Sequence, residues 1–397
     1  MRLFLGYRRV RLLASNTRNI MRSVKSFAIS PLMFLIIIVC ACGSSAGPAN
    51  FIHAQPELPQ LTQYGEKETE ITVVGVGDIM LGSPYPNDSR MPPNDGADLL
   101  KEFAPILSAA DIAFGNLEGP LIDDGISQKC PKPLPGKPIR CFAFRMPTRY
   151  ARYLQEAGFD VMSLANNHAG DFGEFGRATT RATLDKLGIR HAGSDRFQYS
   201  TAYLEVKGLR VAFIAFAHNN VVPNLNDLDA ARRLVQAADE KADIVVVSFH
   251  GGGEGAGAQN VPRATEIYFG EKRGNLPLFA RTVIDAGADL VLGHGPHVLR
   301  GIEIYNGRLI AYSLGNFATY GWFRLEAETA LTMALEVRLS ADGNFLGGRI
   351  YPGRQDGLGG PRIDSNGEAI RIVRALSLSD FGRSAPLIAD DGTIAAK

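Results

Sequence analysis

Two histidines stand three positions apart in Gly293-His294-Gly295-Pro296-His297, directly after the apolar run Asp289 to Leu292. Glycine and proline stop a helix or a ladder there and let the backbone pass close to a neighbour. Imidazoles on such a loop can point at one spot, which suggests a metal ion. Four other apolar runs end in the same way. Ile71 to Val76 leads into Asp78, Ile112 to Phe114 into Asn116 and Glu118, Val161 to Leu164 into Asn167 and His168, and Ile244 to Ser248 into His250. One polar residue at a strand end is usually a turn or cap residue; so many with ligating side chains point to convergence. Carboxylate, amide oxygen and imidazole, with no thiolate, suit Mn²⁺, Fe²⁺ or Zn²⁺ and not a structural zinc site. The donors outnumber the needs of one four-coordinate ion. One or two ions are expected, and a pair about 3.5–4 Å apart would clamp a phosphoryl oxygen.

The elements that must position these residues alternate. Helical patterns at Ala97 to Ala109, Thr148 to Ala157, Phe175 to Leu187, Asp227 to Glu240 and Leu276 to Ala286 separate the apolar runs. Strands alternating with helices indicate α/β architecture with much parallel pairing, in which ligands bind beyond the carboxyl ends of the strands. Asn306-Gly307 predicts a type I′ hairpin joining Ile302–Tyr305 to Arg308–Tyr312.

At 397 residues, 45% hydrophobic and 21% charged, the chain can bury a substantial core, and its net charge of +1 excludes a bulk nucleic-acid binder. Residues 1–42 read as a signal or membrane anchor: arginines and lysines precede the apolar block Ser30 to Cys42. Val39-Cys40-Ala41-Cys42-Gly43 resembles a bacterial lipobox, so the expectation is either lipid attachment at Cys42 or an uncleaved anchor. Residues 43–69 mix Gly, Ser, Pro and charge as a tether does, and His53 within them has no assigned role. The folded domain is placed at 70–350, followed by an extension at 351–397. That extension is read as a loop, a helix near Ile370 to Leu378, and a frayed end. Cys130 and Cys141 flank a proline-rich loop and read as a disulfide formed in an oxidising compartment.

Taken in order, GVGDIML, GNLEGPL, SLANNHAGDFG, FHGGGE, GHGPHVLRGIE and YSLGNF resemble the successive motifs of the CapA family of capsule and poly-γ-glutamate synthesis proteins. That family is similar in turn to calcineurin-like metallophosphoesterases. The resemblance implies a four-layer αββα sandwich with Asp78, Glu118, Asn167, His250, His294 and His297 as metal ligands. It also implies His168 as the general acid beside Asn167, with Asn116, Asp171, Glu254 and Asn316 in supporting or substrate-facing places. Three departures stand out. Met80 replaces the histidine of an Asp-x-His motif, Asn116 takes the place of an aspartate with Glu118 two residues on, and Gly251 replaces a common Trp, which is expected to open the mouth.

The function so implied is an exported, membrane-tethered, metal-dependent hydrolase at the extracytoplasmic face of a bacterial envelope. Its substrate would be a phosphoester or a polyanionic polymer, and other capsule-synthesis membrane proteins are candidate partners. The alternative is a non-catalytic polyanion-binding subunit of a polymer assembly machine. Gly251 to Gly255 reads either as a phosphate cradle or as a ligand-free loop. Glu271 and Arg273 are candidates to line the crevice, His191 and His218 match no motif, and Trp322 and Phe323 are expected in the core.

Overall fold

The computed structural model describes residues 69–130, 141–355, 357 and 359–397. The expected anchor, with Cys42, and the tether up to residue 68 lie outside the described residues. Among the described residues no helix is long and apolar enough to cross a membrane.

The first strands are β1 (Glu70–Met80), β2 (Ile112–Leu117), β3 (Val161–Ser163), β4 (Arg190–Ala192), β5 (Thr201–Val206) and β6 (Leu209–Ala217). Next come β7 (Ile244–His250), β8 (Glu266–Tyr268), β9 (Glu271–Gly274), β10 (Leu290–His294), β11 (Ile302–Tyr305) and β12 (Arg308–Ala311). The last are β13 (Asn316–Thr319), β14 (Leu331–Ser340), β15 (Phe345–Gln355), β16 (Pro361–Ile363), β17 (Leu387–Ile388) and β18 (Thr393–Ala395). A 10-stranded sheet runs β17-β18-β15-β14-β1-β2-β3-β4, with β13 beside β1 and β16 beside β15, and a 6-stranded sheet runs β11-β12-β10-β7-β6-β5. The strands that carry site residues, β1, β2, β3 and β13 in one sheet and β7 and β10 in the other, pair in parallel. Their carboxyl ends therefore share an edge.

Period-2 alternation sorts side chains into layers. Val73 joins Ile71, Phe114, Phe213, Val246 and Leu292 in the layer between the sheets, while its neighbour Val74 joins the opposite layer. There Phe103, Leu107, Tyr150, Leu154 and Leu184 cover the large sheet, supplied by the segment 99–107, the 3-10 turn Thr148–Tyr150 and the helices Ala151–Glu156 and Gly173–Lys186. On the small sheet Val245 and Val247 meet Ala231, Val235, Phe279 and Val283 from helices Leu228–Asp239 and Leu276–Asp285. Each fully buried Val, Leu or Phe contributes about 1.5–3 kcal/mol, and these layers hold the strand ends in place. The result is the αββα sandwich the resemblance implies. Two helix starts are capped as their sequence suggests: the Asp227 carboxylate accepts from Ala230 N and the Asn275 amide oxygen from Leu278 N.

Three details differ from expectation. The helix foreseen over Ala97 to Ala109 shrinks to Ala104–Leu107 behind a run of turns. β15 extends to Gln355, past the expected domain end. The C-terminal residues are not frayed: β18 pairs with β15 at Gly348–Ile394 and Arg349–Thr393, and Ile388 and Ile394 are buried in the layer between the sheets. Two strands of two and three residues are too short for periodicity to reveal. The hairpin at Asn306-Gly307 forms with both residues at positive φ, 50° and 74°.

Candidate metal centre at the strand ends

On the large sheet, Asp78 lies in register with both Asn116 of β2 and Asn316 of β13. β1 can lie so close to the β13 turn because Gly77 has no side chain; a Cβ there would sit 2.0 Å from Gly315 O. Asp78 N donates to that same oxygen (3.0 Å). On the small sheet His250 is in register with His294, and Gly251 N donates to His294 O at 2.9 Å. His297 adopts a left-handed backbone, φ 57°, which is uncommon for a residue with a Cβ and recurs at functional sites.

Asp78, Glu118 and His297 each offer an atom within 4.8 Å of the others. Asp78 Oδ2 lies 3.0 Å from His297 Nδ1, whose N–H is directed at Asn316 Oδ1 (3.1 Å). Asn116 Nδ2 donates to Asp78 Oδ1 (2.8 Å) and lies 3.3 Å from His250 Nδ1. Around Glu118 Oε1 stand three imidazole nitrogens: His297 Nε2 at 3.7 Å, His168 Nε2 at 3.8 Å and His250 Nε2 at 4.0 Å. Asp78, Glu118 and His250 are 0% exposed. Even so, both Glu118 oxygens, Asn167 Oδ1 and His250 Nε2 have no hydrogen-bond partner, and Asp78 Oδ2 meets the His297 ring 3.0 Å away. Buried polar atoms are nearly always paired, and orphaned ones need a cause. Those of Asp78, Glu118 and His250 are donor atoms of the kinds that divalent cations take, gathered around one point. The residues present fit an ion.

Electrostatics point the same way. Burial, reinforced by the charges of Asp78 and Glu254, pushes Glu118 up to about 8. Burial disfavours the charged form of His297, but the Glu118 and Asp78 carboxylates outweigh it and lift this group to about 10. Burial would also raise Asp78, yet the His297 imidazole holds it below its ordinary value. His250 is driven well below the ordinary histidine range by burial and by His297.

His168 is positioned with care. Asn166, which the sequence reading passed over, accepts from His168 N (3.0 Å) and donates to Leu117 O (2.9 Å), tying β3's exit to β2. His168 Nδ1 lies 2.6 Å from Asp171 Oδ2, leaving Nε2 toward Glu118. The Phe144 ring stacks on the imidazole at 3.8 Å.

Several expectations need correcting. The structure does not bring the His294 ring nitrogens into the cluster: Nε2 lies 3.0 Å from Val76 O and Nδ1 3.3 Å from Ser248 Oγ. Facing those partners, His294 serves to join the two sheets. Gly251 does not open the mouth, since a Cβ there would meet Arg273 O at 2.6 Å. The glycine allows close packing. Nor is Gly251–Gly255 a phosphate cradle: the amides of Gly251, Gly252, Gly253 and Gly255 donate to His294 O, Arg273 O, Glu266 Oε2 and Pro296 O. Glu254 is held by Arg273 at 2.8 Å. Met80 is fully buried among apolar residues and supplies no ligand. Trp322 and Phe323 pack, partly buried, against the core layer as expected, and Phe323 also lies edge-on to His297 at 5.0 Å, on the rim of the site. His218 approaches from behind, Nδ1 3.3 Å from His250 O, while His191 pairs with Asp185 away from the cluster. Cys130 and Cys141 are joined as a disulfide. Lys129 beside it, unnoticed in the sequence, reaches Asp171 at 3.4 Å.

Fold and site together define a two-sheet α/β protein with a candidate carboxylate–imidazole cation site at the strand ends. Within that class the chain belongs to the bacterial capsule synthesis protein PGA_cap family, whose model matches residues 72–320. It is similar to the PGA biosynthesis protein CapA of Bacillus subtilis, 30% identical over 285 residues that cover 68% of each chain. It is also similar to the capsule biosynthesis protein CapA of Bacillus anthracis, 29% identical over 276 residues covering 64% of this chain and 61% of the relative. Among solved structures, a hypothetical protein from Thermus thermophilus superposes with a TM-score of 0.45 at 20% identity, covering 72% of this chain and 100% of that one. A putative 5'-nucleotidase from Staphylococcus aureus gives 0.40 at 14% identity, covering 78% and 58%.

Proposed function

We propose that this chain is a divalent-metal-dependent hydrolase of capsule or poly-γ-glutamate production, acting on a phosphoester or amide of a polyanionic envelope polymer. One observation carries the reading: buried, unpartnered donor atoms of Glu118 and His250 stand with Asp78 and His297 around one point, and a histidine locked by Asp171 faces it. An ion held by Asp78, Glu118, Asn167, His250 and His297 would polarise a substrate oxygen and neutralise its charge. The protein's own residues do the rest. Asp171 holds His168 at Nδ1, so proton transfer to a leaving group takes place at Nε2. Asn116 and Asn316 fix the faces of Asp78 and His297. Phe144 and Phe323 exclude water from the rim. The names of the Bacillus relatives support a place in capsule or PGA biosynthesis. The disulfide supports an oxidising compartment, and the N-terminal apolar block supports tethering at the outer face of the membrane, near other capsule-synthesis proteins.

Turnover of an aryl phosphodiester by the purified, Mn²⁺-supplied protein tests this reading. His168→Ala should lower kcat about 10²–10⁴-fold with little change in metal content. A second reading, a polyanion-binding subunit without turnover, is favoured by Met80, which leaves the cluster short of one imidazole. Metal-replete wild type that is inert on phosphodiesters and γ-glutamyl chains, yet binds the latter, selects it.

A further inference from the structure

The His168 side of the site is built by one excursion of the chain between β2 and the helix Ala151–Glu156. It leaves and returns at Leu121 and Met146, which bridge. Both of its arms grip the same short segment. From the outgoing arm, Gln128 N and Ser127 Oγ donate to Asp171 O (2.8 and 3.1 Å). From the returning arm, Phe144 N donates to Asp171 Oδ2 (2.8 Å) and the Phe144 ring covers His168. The Cys130–Cys141 disulfide ties the arms together. Between Gln128 and Cys130 stands Lys129. Its Nζ donates to Asn167 O (3.3 Å) and lies 3.4 Å from Asp171 Oδ1.

Lys129 is a counter-ion of Asp171: Oδ2 of that buried carboxylate takes the Phe144 amide and the His168 ring, and Oδ1 has the ammonium beside it at 3.4 Å. Pairing does not use the lysine up, since its side chain stays 37% exposed. An ammonium has three donors, and the protein engages it at two points. The lysine therefore offers a solvent-facing cation beside the proton-transferring histidine, on the side where a leaving group would depart, and its backbone is pinned on both flanks.

We propose that Lys129 is a substrate-positioning residue, selecting ligands with a second anionic group on the leaving-group side of the bond at the metal centre. This rests on the functional reading above. A charge-assisted hydrogen bond at a partly exposed site is worth about tenfold in affinity.

Calorimetry on the Mn²⁺-loaded full chain, with benzylphosphonate and 4-carboxybenzylphosphonate as non-hydrolysable probes, tests it. Wild type should bind the carboxylated probe about tenfold more tightly. Lys129→Met should bring the two affinities together, and Lys129→Arg, which keeps the charge, should restore most of the preference. No preference in wild type, a preference that survives in Lys129→Met, or an equal loss on both probes overturns the proposal and leaves the metal-site reading standing. Failure of wild type to bind either phosphonate overturns both.

Discussion

Two fully buried glutamates show what separates architecture from a site. Glu303 of β11 has both oxygens engaged: Arg281 Nη2 at 2.5 Å on one, and the Tyr312 hydroxyl donating at 2.8 Å to the other. Glu118, equally buried, has neither oxygen hydrogen-bonded. Burial of a carboxylate is costly unless partners replace the lost water. The fold provides them for Glu303 and withholds them from Glu118, and the second case makes sense only if something else supplies the partner. A buried charge with its partners present joins elements; one without them is reserved for a ligand.

The comparison can be broken by mutation. Glu303→Ala strands the Tyr312 hydroxyl and the Arg281 guanidinium and should destabilise the protein by about 3–5 kcal/mol in urea unfolding, with metal content unchanged. Glu118→Gln should do the reverse, leaving metal-free stability within about 1 kcal/mol of wild type while metal uptake collapses. Equal effects of the two changes would erase the distinction.

Crosslink loss should be of intermediate size. Cys130→Ser with Cys141→Ser should lower stability by about 3 kcal/mol, since the crosslink closes a short loop, again with metal content unchanged. The smallest effect concerns protons. Burial raises Glu118, and the Glu118 and Asp78 carboxylates raise His297, so at neutral pH the metal-free pair shares at least one proton. An ion needs their lone pairs, so binding must release protons, and affinity rises with pH across the neutral range. Calorimetry of Mn²⁺ binding in buffers of different ionisation enthalpy should report release of about one to two protons at pH 7. Zero release would contradict the ligand roles of these two residues.

The sequence made the cluster legible where a β-branched run stops at a polar residue, as at Asp78 and His250, because strand ends in parallel sheets share an edge. It misled where the outcome depends on register between distant elements. His294 sits on the same kind of loop as His297, yet two register facts, β10 beside β7 and β1 across the inter-sheet gap, place Val76 O against its ring. Gly251 looked like an opening because nothing local shows that Arg273 O will lie against it. The alternation of apolar runs with helical patterns foretold α/β architecture with parallel pairing, while the two-sheet sandwich came only from the resemblance of the motifs. The short C-terminal strands were hidden because a two-residue strand has no period to detect. Lys129 was invisible for another reason: a lysine in a proline-rich stretch looks like any solvated charge until Asp171, far along the chain, is seen beside it.

The central claim is that Asp78, Glu118, His250 and His297 jointly hold a divalent cation. Elemental analysis of protein purified without chelator tests it most directly, with wild type and Glu118→Gln prepared side by side. The account predicts about one or two equivalents of Mn, Fe or Zn in wild type and near-complete loss in the variant. Wild type free of these metals even after incubation with each, or a variant that retains the full complement, would contradict it.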